Sequence, residues 1–288
     1  MITSMPRIAI ATDDFDSILT AFGDAVGMPL VDISSESVES LGAKLGFCVP
    51  ATGSNIELMS PADPAAPLSR SLHRFLDRRG SGLFAMMLEA ANPNAEADRL
   101  QALGLNVLPL MAGAGGRDIH PNSTHGVLIR IYPTGSFDRS APEPTSSLGL
   151  SGVTSVMVAV DDMVHAREIY GDKLGLEVVF SDECRGLART VLQPPTGGRV
   201  MLVSPVETSD PLAVSVAEHL RTRGEGMYAL VLQSVDAAAT GAALAERGLE
   251  VQEWGNPLVE LFGVRMLIED VGGSSDMQKN NIASMLKL

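Results

Sequence analysis

Two stretches of this 288-residue chain, 7–28 and 155–176, are copies of one passage, and that duplication constrains the fold more than any composition figure does. Arg7-Ile-Ala-Ile-Ala-Thr-Asp13-Asp14-Phe15 lies over Ser155-Val-Met-Val-Ala-Val-Asp161-Asp162-Met163, and the match runs on without a gap through Phe22-Gly23-Asp24 over Tyr170-Gly171-Asp172. Ile56 to Pro61 then falls over Val200 to Pro205, Arg79 to Ala85 over Arg223 to Ala229, and Leu100 to Gly104 over Leu244 to Gly248. Blocks repeating in one order, at a period longer than a solenoid repeat, mean a duplicated domain. The chain length agrees with two domains.

Each copy opens with a β-branched strand, Ile8 to Thr12 or Val156 to Val160, followed by an Asp-Asp pair. Acidic groups there favour the positive end of a helix dipole. Phe15, Ile18, Leu19 and Phe22, and in the second copy Met163, Ala166, Ile169 and Tyr170, recur at helical spacing. Strands are predicted at 43–50 and 55–59, and again at 188–193 and 199–203. A polar stretch, a strand after Gly82 or Gly226, a helix ending at Gly104 or Gly248, and further strands complete each half. The order makes two βαβββ units per half. Pro133 to Leu148 is rich in Pro, Ser, Thr and Gly, a linker composition. The expected division is residues 1–133, a linker at 134–149, and residues 150–288, whose final strand is the least defined element.

Hydrophobic residues make up 45 % of the chain, enough for a core in each half. The formal net charge of −14, without a basic stripe, argues against nucleic acid as a partner. No apolar run is long enough for a membrane helix, and the opening Met1-Ile-Thr-Ser-Met-Pro lacks signal-peptide features, so a cytoplasmic protein is expected. Cys48 and Cys184, one per half, have no metal-type neighbours.

The repeated blocks, together with Phe75 to Leu83 and Gly115-Gly116-Arg117-Asp118-Ile119-His120-Pro121 leading to Gly126-Val127-Leu128-Ile129, resemble the vicinal-oxygen-chelate superfamily of glyoxalases, bleomycin-resistance proteins and extradiol dioxygenases. The first half is most similar to methylmalonyl-CoA epimerase. The resemblance implies an α+β fold of tandem modules, each with a curved, mostly antiparallel sheet around a cavity. In that family four inward side chains hold a divalent cation, which stabilises negative charge developing on the substrate.

Here the ligand positions are altered. The resemblance places Arg7, Glu57, Ala85 and Arg130 at them in the first half, and Ser155, Met201, Ala229 and a residue near Asp276 or Met277 in the second. A guanidinium keeps its proton and offers no lone pair to a cation. The epimerase's catalytic carboxylate falls on Leu45, with Arg189 at the corresponding place in the second half. No metal and no other cofactor is therefore expected.

Arg7, Glu57 and Arg130 are predicted to meet on one cavity wall. Two guanidiniums around one carboxylate leave surplus positive charge for a substrate carboxylate, phosphate or oxyanion. Equally, the trio can plug a dead site. Glu57 between two arginines would have a lowered pKa. His120, in the loop before Pro121, is a candidate acid-base group or else a hydrogen-bonding turn residue. Alternation along the strand turns Tyr228 away from the face that carries Ala229. These readings lead to an expected metal-independent isomerase or lyase, acting on a small carboxylate or acyl thioester, with Glu57 and His120 catalytic and Arg7, Arg130 and Arg189 binding an anionic or acyl ligand. The alternatives are a non-catalytic small-molecule binding protein of the bleomycin-resistance type, and a metalloenzyme whose ligands lie elsewhere. The internal pseudo-dimer suits a monomer or a homodimer.

Overall fold

A computed structural model describes residues 1–272 apart from 112, 114, 143 and 145. The first half runs β1 (Ile2–Ala11), α1 (Phe15–Thr20), β2 (Leu30–Asp32), α2 (Ser34–Leu41), β3 (Ala43–Cys48), β4 (Asn55–Pro61), α3 (Pro67–Arg79), β5 (Gly82–Ala90), α4 (Pro93–Ala102), β6 (Arg117–Ile119) and β7 (Leu128–Pro133). The second runs β8 (Ser155–Ala159), α5 (Met163–Arg167), β9 (Glu177–Cys184), β10 (Leu187–Gln193), β11 (Thr196–Gly197), β12 (Arg199–Pro205), α6 (Pro211–Arg223), β13 (Gly226–Ser234), α7 (Ala237–Glu246), β14 (Val251–Glu253), β15 (Pro257–Leu261) and β16 (Val264–Asp270). The fold class is α+β, as expected, in two mixed eight-stranded sheets.

The sheets have one plan. Their orders are β2-β3-β4-β1-β5-β7-β6 and β14-β15-β16-β13-β8-β12-β10-β9, the second, apart from β14, being the first read in reverse. In both, the opening strand lies between a parallel and an antiparallel neighbour. The short β11 leaves its own module and pairs with β1. The Asp-Asp helix start also holds: Asp14 accepts from the Ser17 N–H and Asp162 from the His165 N–H, each satisfying one free donor of a first turn. Both helices continue into a π-helical turn, at 21–25 and 168–173.

One sheet face of each module and helices α1, α4, α5 and α7 make a single apolar core running through both halves. Ile8, Ile10, Ile18, Phe22 and Leu100 share it with Val156, Val158, Ile169, Tyr170 and Leu244. The modules also meet edge to edge about a pseudo-twofold. Gly126 (φ 76°) packs on the Glu225 carbonyl, and Gly263 (φ 70°) packs on the Ser81 carbonyl. A Cβ at Gly126 would meet that carbonyl, and the left-handed backbone is itself strained for other residues.

The opposite sheet faces form two separate cups. The first is lined by Ala9, Ala11, Leu45, Phe47, Met59, Ala85 and Met87, the second by Met157, Ala159, Val191, Met201, Val203, Ala229, Val231 and Leu267. The stretches expected to be merely polar are α3 and α6, and each covers part of a cup. Their signal was present: Leu68, Leu72, Phe75 and Leu76, and likewise Leu212, Val216 and Leu220, sit at helical spacing behind a proline at the first helical position. Burying a leucine such as Leu72 contributes about 1.5–3 kcal/mol.

Among the described residues the last strand is β16, which ends before the expected position. By register Val231 faces Leu267 as Met87 faces Arg130, so Leu267 takes the place assigned to Asp276 or Met277, which lie outside the described residues.

Candidate functional site

In the first cup, β1, β4 and β7 turn Arg7, Glu57 and Arg130 inward, and all three are buried. They do not form one cluster. Arg7 Nε donates to Glu57 Oε2 at 2.9 Å. Arg130 donates instead, through Nε and Nη2, to both oxygens of Asp118 at 2.5 and 2.6 Å. Asp118 lies directly opposite Arg130 in the β6–β7 ladder. That register cannot be read from the sequence, and it is why Asp118 was missed. The expected surplus of positive charge is therefore absent: each guanidinium has its own carboxylate. Asp118 outweighs the cost of burial and holds the Arg130 guanidinium more firmly protonated than usual.

The linker closes this cup. The Phe137 ring lies 4.8 Å from Phe47 and 5.4 Å from the Arg7 guanidinium, which also lies 4.7 Å from the Tyr132 ring. Ser136 donates from its N–H and its hydroxyl to Glu89 Oε1 at 2.9 and 2.8 Å, while Ser4 Oγ donates to Glu89 Oε2 at 2.6 Å. Burial would raise the pKa of Glu89, but these hydrogen bonds outweigh it and hold the carboxyl below the usual range.

His120 stands outside the cup, where it caps a 3-10 turn at 121–123. Its Nδ1 accepts from the Asn122 N–H at 3.1 Å, the bond of a turn residue.

The second cup is built differently. Arg189 forks onto Asp182, its partner across the β9–β10 ladder, at 2.9 and 2.6 Å. Arg265 pairs with Glu260 at 3.1 Å, and Arg185 with Asp210 at 2.9 Å. Glu269 belongs to the same inward set as Arg265 and Leu267. Burial raises its pKa, with Arg189 and Arg185 opposing. Ser155, at the position of Arg7, is buried and carries no charge.

A register irregularity between Met227 and Ala229 breaks the alternation of β13. Tyr228 therefore joins Ala229 in the cluster under α6, against the expectation that it points away. His219 of α6 meets its ring edge-on at 5.4 Å, and the Arg265 guanidinium lies 5.0 Å from the same ring. His219 is 8 % exposed and Tyr228 2 %. Among the described residues, neither ring nitrogen of His219 nor the Tyr228 hydroxyl has a hydrogen-bond partner. Ser215 lies near enough to that hydroxyl to oppose the rise that burial imposes on its pKa, but not in bonding geometry. Burial, with Arg265, Arg223 and Arg79 adding repulsion, lowers His219 from 6.5 to about 4. It is neutral at physiological pH in a positive surrounding. Its helical spacing in Leu212-x-x-x-Val216-x-x-His219 was the available signal.

Neither set of ligand positions fits a divalent cation. Arg7, Glu57, Ala85 and Arg130 offer one carboxylate, already engaged, and Ser155, Met201, Ala229 and Leu267 offer none. Among the described residues, no group of three or more His, Cys, Asp or Glu side chains is placed to hold a metal ion. No helix among them is long and apolar enough to cross a membrane. Cys48 and Cys184 are both free thiols.

No family model and no curated protein sequence matches the chain. Solved structures do. A mutant of 4-hydroxymandelate synthase from Streptomyces coelicolor aligns with a TM-score of 0.65 and 13 % identity, over 93 % of this chain and 92 % of that one. A fusion of a xylose isomerase-like TIM barrel with 4-hydroxyphenylpyruvate dioxygenase aligns with a TM-score of 0.61 and 14 % identity, over 94 % of this chain; the match spans 48 % of the fusion. These neighbours overturn the expected metal-independent isomerase or lyase, since they are named for a synthase and a dioxygenase. The carboxylates on Arg7 and Arg130 also remove the charge surplus on which that expectation rested. Likeness to methylmalonyl-CoA epimerase is not among the findings. The chain has the fold of the vicinal-oxygen-chelate superfamily, internally duplicated.

Proposed function

We propose that this protein binds a small aryl carboxylate in the cup of its second module, with the ligand's anionic head beside His219, Tyr228 and Arg265. The observation that carries this reading is the cluster of unpartnered polar atoms on His219 and Tyr228. Buried polar atoms are nearly always hydrogen-bonded, and each one left unpaired costs about 1–3 kcal/mol. A ligand head that accepts from the Tyr228 hydroxyl and from the single N–H of neutral His219 recovers the cost of those two donors. Arg265, Arg223 and Arg79, the three cations acting on His219, favour a negative head. The apolar wall of Met157, Met201, Val203 and Leu267 suits an aromatic body. Because α6 covers His219 and Tyr228, occupancy goes with a displacement of that helix.

The compounds named in the structural neighbours supply the probes, 4-hydroxyphenylpyruvate and 4-hydroxymandelate. Trp254, the only tryptophan of the chain, packs against this cup and is an internal reporter. Titration with either compound, followed by Trp254 emission and by calorimetry, is expected to saturate at one equivalent. Tyr228→Phe and Arg265→Met are each expected to weaken binding at least tenfold. No heat and no emission change with either compound would sink the reading.

A further inference from the structure

The first cup contains a ligand of its own, supplied by the linker. Ser136 and Phe137 place a hydroxyl and a phenyl ring where the inward side chains converge. The hydroxyl accepts from Arg7 Nη1 at 3.4 Å and donates to Glu89 at 2.8 Å. The ring rests on Phe47 and on the Arg7 guanidinium. The strap is held otherwise by the Ser136 N–H on Glu89 and by a Thr3–Thr134 hydroxyl contact of 3.0 Å. Thr134 N–H on the Ala90 carbonyl, Ser136 N–H on the Pro133 carbonyl, an Arg139–Glu36 ion pair of 3.6 Å and the packing of Phe137 on the apolar cluster add to these, and the polar contacts among them are ones that water can replace.

We infer that the first cup is a binding site for a neutral aromatic alcohol, which competes with Ser136 and Phe137 for Arg7, Glu89 and the Phe47 ring. The chemistry follows from what the strap provides: one hydroxyl that both accepts and donates, attached to one aromatic ring. Charge excludes an anion. The two buried guanidiniums, Arg7 and Arg130, face three buried carboxylates, Glu57, Asp118 and Glu89, so this cup holds no cation free to receive an anionic head. The two modules would then differ in ligand class, although they descend from one sequence.

Chymotrypsin reads the strap in the intact protein, because the Phe137–Asp138 bond is open to it only when the Phe137 ring leaves the cup. Benzyl alcohol is expected to speed cleavage at that bond at least fivefold, with benzoate ineffective and Trp254 emission unchanged. Glu89→Gln and Ser136→Gly, checked for folding by circular dichroism, are each expected to speed it tenfold without ligand. An unchanged rate with benzyl alcohol, an equal effect of benzoate, or acceleration at every site alike would overturn the inference. Since Trp254 reports the other cup, failure here leaves the second-module reading standing, and the reverse also holds.

Discussion

His219 makes the second module sensitive to acid, and the size of the effect follows from its surroundings. The folded protein holds the imidazole neutral down to about pH 4, against 6.5 for an unperturbed histidine, because burial and then Arg265, Arg223 and Arg79 oppose the charged form. The folded-state pKa is depressed, so the unfolded chain takes up the proton first as pH falls. Stability is complete above about 6.5 and declines steadily towards 4. At about 1.4 kcal/mol for each tenfold difference in proton affinity, the full loss is at most about 3.5 kcal/mol, and about 2.5 kcal/mol of it falls between pH 7.5 and 4.5. Carboxylates also titrate at the acid end, so the informative quantity is the wild-type stability minus that of His219→Phe. Urea unfolding at pH 7.5, 6.5, 5.5 and 4.5, followed by Trp254 emission and circular dichroism, measures it. The difference should shift by about 2 kcal/mol or more in favour of the variant at pH 4.5. A difference constant to within about 0.5 kcal/mol would mean that His219 is hydrated or paired in solution, and the pocket argument would lose its main support.

Two further pairs of substitutions test the packing. Arg130→Met strands the buried Asp118 carboxylate and should cost about 3–5 kcal/mol, whereas Arg130→Met with Asp118→Leu should return to within about 1 kcal/mol of wild type, as read from urea midpoints. Gly126→Ala should destabilise the chain by about 2 kcal/mol or more, because the left-handed backbone is strained and a Cβ there meets the Glu225 carbonyl; Gly135→Ala, with open space beside it, should lose only the backbone strain of about 1–2 kcal/mol. A Gly126→Ala protein no weaker than Gly135→Ala would show that the modules do not meet as described.

Much of the architecture was legible because it is written twice. Where Asp14 and Asp162 both precede a helix, and Ile56 to Pro61 matches Val200 to Pro205, one reading checks the other. The helices α3 and α6 are marked by apolar residues at helical spacing, Leu68, Leu72, Phe75 and Leu76 in the first, but the interleaved arginines and serines give these stretches a polar composition. Tyr228 was misplaced for a different reason: a strand irregularity resets the alternation and leaves no mark in composition. The inward orientation of Arg7, Glu57 and Arg130 was implied by the family resemblance, whereas their partners were not. Asp118, Ser136 and Phe137 come from another strand and from the linker, at separations that local patterns do not encode.

By itself the order of residues determined the duplicated modules and the strand and helix starts, because these depend on local periodicity and on a pattern written twice. Only the tertiary structure decided which charges cancel, which cup the linker fills, and which buried polar atoms are left without a partner. Those outcomes depend on register and on distances of a few ångströms between segments far apart along the chain, and electrostatic and hydrogen-bond energies change steeply over such distances.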